Sequence, residues 1–206
     1  LSKIDFSYNK SDFLFRNLSI SINPGQLFCI SGSNGDGKTT LSKILMGILE
    51  PSAGEVLIDG TNLNKLSLKW WKKQVSYIPQ NTNILNSSIM DNILLGNDKL
   101  NEQEVSRLLQ TVGLDHKLKT TSLTILDPIE DNLSKGVKKK IHYARALAQN
   151  SKIFIIDDPF GYLDNQGIQI VQKLIESLKR ANKTIILFSD NNILSNFVDE
   201  NITIGN

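Results

Sequence analysis

The residues whose types and spacing can do chemistry begin with one run, Gly32-Ser33-Asn34-Gly35-Asp36-Gly37-Lys38-Thr39. It fits the pattern G-x-x-x-x-G-K-[ST] in full, a spelling that a random chain of this length would match about once in a hundred. Its glycines let a loop curl until successive backbone N–H groups converge on the phosphates of a nucleotide, and a helix starting at its end adds its positive dipole end. Lys38 supplies a point charge, and the Thr39 hydroxyl is placed to ligate Mg²⁺. Together with Thr40, the run gives Ser33, Asn34, Gly35, Asp36, Gly37, Lys38, Thr39 and Thr40 as candidate nucleotide-binding residues. The motif alone does not separate a kinase from a GTPase or a transporter.

Such a loop needs a strand before it and a helix after it. Residues 4–8 and 18–22 alternate apolar with polar and read as antiparallel strands, Pro24-Gly25 marks a turn, and residues 26–31 read as the strand that feeds the loop. Leu41, Ile44, Leu45 and Ile48 recur at helical spacing over 39–49, a helix that ends before Pro51, and Gly54 opens a further strand at 55–58. From 84 to 150 the pattern turns mainly helical, with Val105, Leu108, Leu109 and Val112 on one face and a later segment over 134–148. Beyond it, the continuous apolar runs 153–156 and 184–188, separated by a helix-period stretch over 168–178, suit buried parallel strands. The expected class is α/β: a P-loop NTPase core with a mixed, mainly parallel sheet, an N-terminal antiparallel β subdomain and an inserted α-helical subdomain. In this division 1–83 and 151–206 make the core and its antiparallel subdomain, and 84–150 the helical subdomain.

A chain of 206 residues can bury a substantial core without a metal or disulfide staple. Lys and Arg total 23 against 21 Asp and Glu, a net charge of +2 that gives no reason to expect nucleic acid as a partner. Cys29 sits in an apolar run and reads as a small buried hydrophobe, in keeping with a reducing compartment. No apolar stretch approaches the ~18 residues needed to cross a bilayer. A first residue that is Leu1 rather than Met, and a strand-like run just before Asn206, lead us to expect a piece of a longer polypeptide. Of Trp70 and Trp71, one ring is expected to pack inward near the sheet. Lys138-Lys139-Lys140 is expected to be a solvated helix face.

Residues 132–164 carry a resemblance that decides between the P-loop classes. Asn132-Leu133-Ser134-Lys135-Gly136, then Ile141-His142-Tyr143-Ala144-Arg145-Ala146-Leu147-Ala148, then Ile153-Phe154-Ile155-Ile156-Asp157-Asp158-Pro159 and finally Leu163-Asp164 strongly resemble the signature-to-Walker B block of the ATP-binding cassette (ABC) family. The resemblance covers nearly the whole chain. It implies that Asp157 is the Walker B carboxylate holding Mg²⁺ through water, and that Asp164 is the D-loop residue at a dimer seam. It also implies that Ser134, Lys135 and Gly136 contact ATP held by an opposite subunit. Tyr8 looks like the aromatic that stacks on adenine. Gln80, in Tyr77-Ile78-Pro79-Gln80, resembles the Q-loop glutamine that touches Mg²⁺ and the attacking water. Asn86-Ser87-Ser88-Ile89-Met90-Asp91-Asn92-Ile93 resembles a stretch of exporter-type cassettes, which favours export over import. The implied cofactors are ATP and Mg²⁺. The implied partners are a second nucleotide-binding domain, as homo- or heterodimer, and the transmembrane domain of an exporter, at the cytoplasmic face of the membrane.

Three positions depart from that pattern, and all three touch hydrolysis. The family usually places Glu after the Walker B Asp, where this chain has Asp158. A carboxylate withdrawn by about 1 Å can cost ~10²-fold in a positioned reaction, so slow turnover is expected. The family's switch histidine aligns with Asp190, whose carboxylate would face phosphate; like charges ~4 Å apart at an effective dielectric of 20 repel by about 4 kcal/mol. Asp190, counted with Asp158 and Gln80 among the candidate catalytic residues, is expected to turn away and cap a helix near Ile193. In the signature, Lys135 replaces a glycine and Val137 a glutamine, and the Lys135 side chain restricts backbone approach. Asp127-Pro128 stands where exporters carry Gly-Glu, in the segment that contacts the membrane domain.

Three functions are compatible with the resemblance: a transport ATPase with slow hydrolysis, a degenerate subunit that holds ATP as a dimerisation latch, and, less favoured, a soluble ABC ATPase of DNA repair or translation. In asymmetric exporters the altered signature and altered Walker B usually sit on different subunits, whereas here one chain carries both. Peptide, lipid and drug export all remain open.

Overall fold

In chain order the elements are β1 (Ser2–Ser7), β2 (Phe13–Leu18), β3 (Leu27–Ser31), α1 (Lys38–Leu45), β4 (Ala53–Glu55), β5 (Leu57–Ile58), β6 (Thr61–Asn62), α2 (Leu68–Gln74), β7 (Val75–Ile78), α3 (Ile89–Leu94), α4 (Glu102–Thr111), α5 (Lys135–Ala148), β8 (Ile153–Asp157), α6 (Asn165–Arg180), β9 (Thr184–Ser189) and β10 (Glu200–Thr203). They come from a computed structural model that describes residues 1–9, 12–95, 100–114, 133–189 and 198–205.

The continuous apolar runs become the centre of a parallel sheet ordered β10-β3-β9-β8-β7. Its strands are in register through Ile202↔Ile30, Ile30↔Phe188, Ile156↔Leu187 and Ile78↔Ile156. Runs without alternation occur because both faces are covered, so residues of either parity are buried. Leu27, Cys29, Phe154, Ile156, Ile185 and Leu187 join one cluster with residues of α3, α4, α5 and α6. Phe28, Ile30, Ile155, Ile186 and Phe188 join the other, with Leu41, Ile44 and Leu45 of α1, the β1 and β2 aromatics and Trp71. Each such side chain, fully buried, contributes roughly 1.5–3 kcal/mol. Helix α6 shows the matching helical logic: Val171, Leu174, Ile175 and Leu178 form its buried stripe. The fold class is therefore the expected one, with β2-β1-β4 as a separate antiparallel sheet and β5-β6 as a short hairpin.

Two local expectations are corrected. The strand expected at residues 18–22 lies earlier, as β2. Asn17 takes φ 51 and its N–H goes to Asp5 Oδ1, while Lys3, at φ 49, gives its N–H to the Ser19 hydroxyl at 3.0 Å. At Lys3 a side-chain acceptor thus replaces the backbone rung, and the pairing resumes only at Ile20, whose N–H donates to Leu1 O at 3.1 Å while the Leu1 amino group donates to Ile20 O at 2.8 Å. The strand expected over 55–58 is split between β4 and β5. The tryptophans divide as expected: Trp70 is 46% exposed and Trp71 3%. The Trp71 indole N–H donates to Leu45 O at 3.0 Å, which closes the C-terminal end of α1.

Candidate functional site

Strand β3 delivers the loop and α1 receives it. Gly37, the N-cap of α1, has φ 93, and a Cβ there would meet the Phe15 ring at 2.5 Å, so both backbone angle and space require glycine. The Lys38 ammonium reaches back across the loop, donating to Gly32 O at 2.7 Å and Ser33 O at 2.8 Å. The Thr39 hydroxyl donates to Asp157 Oδ2 at 2.8 Å, tying the start of α1 to the end of β8. Behind this pair, Ser42 donates to Thr39 O, and the Tyr77 hydroxyl lies 3.3 Å from Ser42 Oγ and donates to Asp157 Oδ2 at 3.5 Å. Burial raises the Asp157 pKa above the ordinary carboxylate value, opposed by the Thr39 hydrogen bond and the Lys139 charge. Burial likewise pushes Tyr77 up to about 12, leaving its hydroxyl a donor at neutral pH.

Of the expected residues, Tyr8, Asn34, Gly35, Gly37, Lys38, Thr39, Thr40 and Gln80 surround one cleft of about 410 Å³. Tyr8 stands at its rim, 64% exposed, with its hydroxyl 2.9 Å from Thr40 Oγ1 and its ring edge-on to Phe6. An exposed ring held at both ends is a stacking surface for a planar group. Asp36 behaves differently: its carboxylate accepts the Ser33 N–H and faces a neighbouring cavity lined by Phe15, Arg16 and Gly205. Its negative charge is thereby kept out of the cleft between Tyr8 and Gln80.

Asp158 and Asp164 lie between β8 and α6, and the first turn of α5 abuts that segment at Tyr162. Asp158 has φ 52, donates its N–H to Phe188 O at 2.9 Å, and lays its carboxylate against Gly161, where a Cβ would come within 2.1 Å of Oδ2. Ser134 caps α5 by accepting the Val137 N–H, and a Cβ on Gly136 would stand 2.7 Å from Tyr162 O. The Lys135 ammonium sits 4.6 Å from the centroid of the Tyr162 ring, a cation–π contact. Asp164 caps α6, accepting the Gly167 N–H at 2.7 Å. None of Ser134, Lys135, Gly136, Asp158 or Asp164 lines the cleft. Asp190 and Asp127-Pro128 lie outside the described residues.

The donors fit magnesium. Thr39 and Asp157 offer two hard oxygens 2.8 Å apart, and Thr39 and Gln80 both line the cleft, with Asp157 behind Thr39. Among the described residues no group of three His, Cys, Asp or Glu forms a complete cage. Mg²⁺ keeps several waters and takes one or two protein oxygens beside substrate phosphates, which suits this sparse set.

The lysine run is the clearest correction. Lys139 is 0% exposed and Lys140 is buried, because α5 packs against α3, α4 and β7 at once. Lys139 donates to Pro79 O and Asp157 O, and Lys140 to Gly113 O. Burial lowers the Lys139 pKa to about 8, with Asp158 and Asp157 opposing the shift. A signal was available: Lys139 shares the helical stripe of Tyr143 and Ala146, both buried. Tyr77 is a candidate site residue that sequence reasoning misses, since only its place on β7 brings its hydroxyl to Asp157.

Comparison with known proteins gives the family and the fold. The family model described as "ABC transporter" matches residues 15–161. The chain is 32% identical over 187 residues to the Arabidopsis thaliana protein "ABC transporter B family member 26, chloroplastic", covering 88% of this chain and 26% of that protein. It is 29% identical to the "Beta-(1-->2)glucan export ATP-binding/permease protein NdvA" of Rhizobium etli, covering 89% of this chain and 32% of that one. Thus the chain spans less than a third of the length of these curated relatives. Among solved structures, a bacterial Atm1-family ABC exporter with ATP bound superimposes with a TM-score of 0.93 at 21% identity, covering 99% of this chain and 36% of that one. CbiO1 from Clostridium perfringens, part of the ABC transporter complex cbiONQ, gives 0.78 at 24% identity, covering 98% and 82%. At these identities the two structures speak for the fold.

Proposed function

Because the chain belongs to the ABC transporter family, we propose that it is the ATP-binding cassette of a larger exporter, taking Mg-ATP in the cleft between Tyr8 and Gln80. In this reading it pairs head to tail with a second nucleotide-binding domain, homologous or identical, and acts on a transmembrane domain from the cytoplasmic face of the membrane, with no role for nucleic acid. The supporting observation is the Thr39 hydroxyl on Asp157 Oδ2 at 2.8 Å, beside a lysine held across the loop. That arrangement supports a cation site at the end of a phosphate cradle.

The chain's own residues divide the work. On ATP uptake the Lys38 ammonium exchanges two loop carbonyls for phosphate oxygens, gaining charge-assisted hydrogen bonds. Tyr8 orients the base, and the P-loop amides fix the phosphates for in-line transfer to water. A magnesium ion, when bound to Thr39 and Asp157 with Gln80 nearby, supplies neutralisation of the phosphate charge. Asp158 is the base for the attacking water, and its lean toward Gly161 favours slow hydrolysis. That same lean favours a second reading, in which the chain holds ATP as a latch and a partner hydrolyses.

Calorimetry separates the outcomes. The purified chain is expected to take up ATP with Mg²⁺, and Lys38→Ala to lose that uptake. Uptake that survives Lys38→Ala would sink the proposal. Phosphate release above background at high protein concentration supports the slow enzyme, whereas uptake with only background release supports the latch.

A further inference from the structure

A lysine enclosed by protein must place its ammonium on acceptors, since an unpaired charge there is costly. Lys139 meets that condition at a particular spot: its Nζ donates to Pro79 O at 2.9 Å and to Asp157 O at 2.9 Å. The two carbonyls belong to the ends of neighbouring strands. Strands β7 and β8 run in register as far as Ile78↔Ile156, and the residue that follows β7 is Pro79, which has no N–H to carry the ladder on. The ammonium of Lys139 bridges the two strands at the level where the backbone pairing stops.

Both carbonyls adjoin residues that bear on the nucleotide. Pro79 is succeeded by Gln80, on the wall of the cleft, and Asp157 carries the carboxylate that accepts the Thr39 hydroxyl. The side chain that joins them comes from α5, one turn beyond the Ser134 cap and the Lys135 and Gly136 backbone that abuts Tyr162. One rigid contact therefore connects the first turn of α5 with both residues on the magnesium side of the site.

We propose that Lys139 is a positioning residue for the divalent cation: from α5 its ammonium sets the spacing between Gln80 and Asp157, so that the site gains nucleotide affinity from Mg²⁺ only when that bridge is intact. The inference rests on the ATP-binding reading above. Lys140 provides an internal comparison, since it is buried on the same helix and its ammonium bonds Gly113 O, on the α4 side.

The test is the dissociation constant of ATP by calorimetry, with Mg²⁺ and with EDTA, for the native chain and for Lys139→Met, Lys139→Gln and Lys140→Met. The readout is the ratio of the two constants, which a general loss of packing would not move selectively. Lys139→Met is expected to lower the gain from Mg²⁺ about tenfold, in the range found when the supporting partners of metal ligands are removed, with little change in EDTA. Lys139→Gln keeps N–H donors on a shorter, neutral arm and is expected to fall between, at about threefold. Lys140→Met keeps the native ratio. A native ratio in Lys139→Met, an equal loss in Lys140→Met, or a Gln variant no better than Met would each overturn the inference. If Lys139→Met does not fold, Lys139→Gln decides: a threefold loss supports the bridge, and an unchanged ratio removes it. Failure of the native chain to bind ATP in either condition would instead overturn the site assignment, and this inference with it.

Discussion

Restoring the longer carboxylate with Asp158→Glu tests the cause assigned to slow hydrolysis. Asp158 stands at φ 52 with its carboxylate on Gly161, so for the role proposed above it is both short and turned along the loop. One added methylene extends the reach by about 1.3 Å, and a misplacement near 1 Å costs about 10²-fold. Phosphate release should therefore rise about 10²-fold, equivalent to about 2.7 kcal/mol of barrier. The same change carries a structural cost. Glu is less at ease than Asp in the left-handed region, by about 1 kcal/mol, which lowers Tm by about 2–4 °C in a chain of this size. The assay is steady-state phosphate release at saturating Mg-ATP and high protein concentration, with Lys38→Ala as the blank and a thermal melt in parallel. A variant that binds ATP like the native chain yet hydrolyses within twofold of it would refute the reasoning and move the defect elsewhere.

The remaining predictions concern the scaffold. Burial and the Arg145 charge push His142 down to about 4, with its Nε2 3.0 Å from Asn83 O. The folded ring is thus neutral where the unfolded ring, titrating near 6.5, takes a proton, so stability falls as pH drops from about 6.5 toward 4 and levels below that. Between pH 7 and 5 this contributes about 2 kcal/mol of loss. His142→Gln, which keeps a donor for Asn83 O, should show a correspondingly smaller fall in Tm; an unchanged pH dependence would count against the neutral ring. Trp71→Phe leaves Leu45 O without its indole donor inside the core and should destabilise the chain by about 1–3 kcal/mol in urea titration. A loss below about 0.5 kcal/mol would mean that water reaches that carbonyl.

Local chemistry was the legible part. The loop from Gly32 to Thr39 is spelled by residues adjacent in sequence, and strands β3, β8 and β9 announce themselves because sheet faces buried on both sides demand unbroken apolar runs. Residues whose state depends on distant neighbours were harder. Lys139 looks like surface until α3, α4 and β7 close around it. Alternation over 18–22 cannot show that Ser19 supplies a hydroxyl where a strand would supply a carbonyl. Nor does spacing reveal that Asp36 aims at Ser33, or that Asp164 is already occupied as a helix cap.

The strand order has a consequence for how the protein is made. Strand β3 is synthesised before both of its neighbours: it ends up between β9 and β10, and its partners for Leu27 and Phe28 are Ile185 and Glu200. At about 5–20 residues per second, roughly ten to thirty seconds of synthesis pass before those neighbours exist. For that interval an apolar strand that will carry the phosphate loop has an unpaired edge, so the nascent chain is a natural client for a holding chaperone.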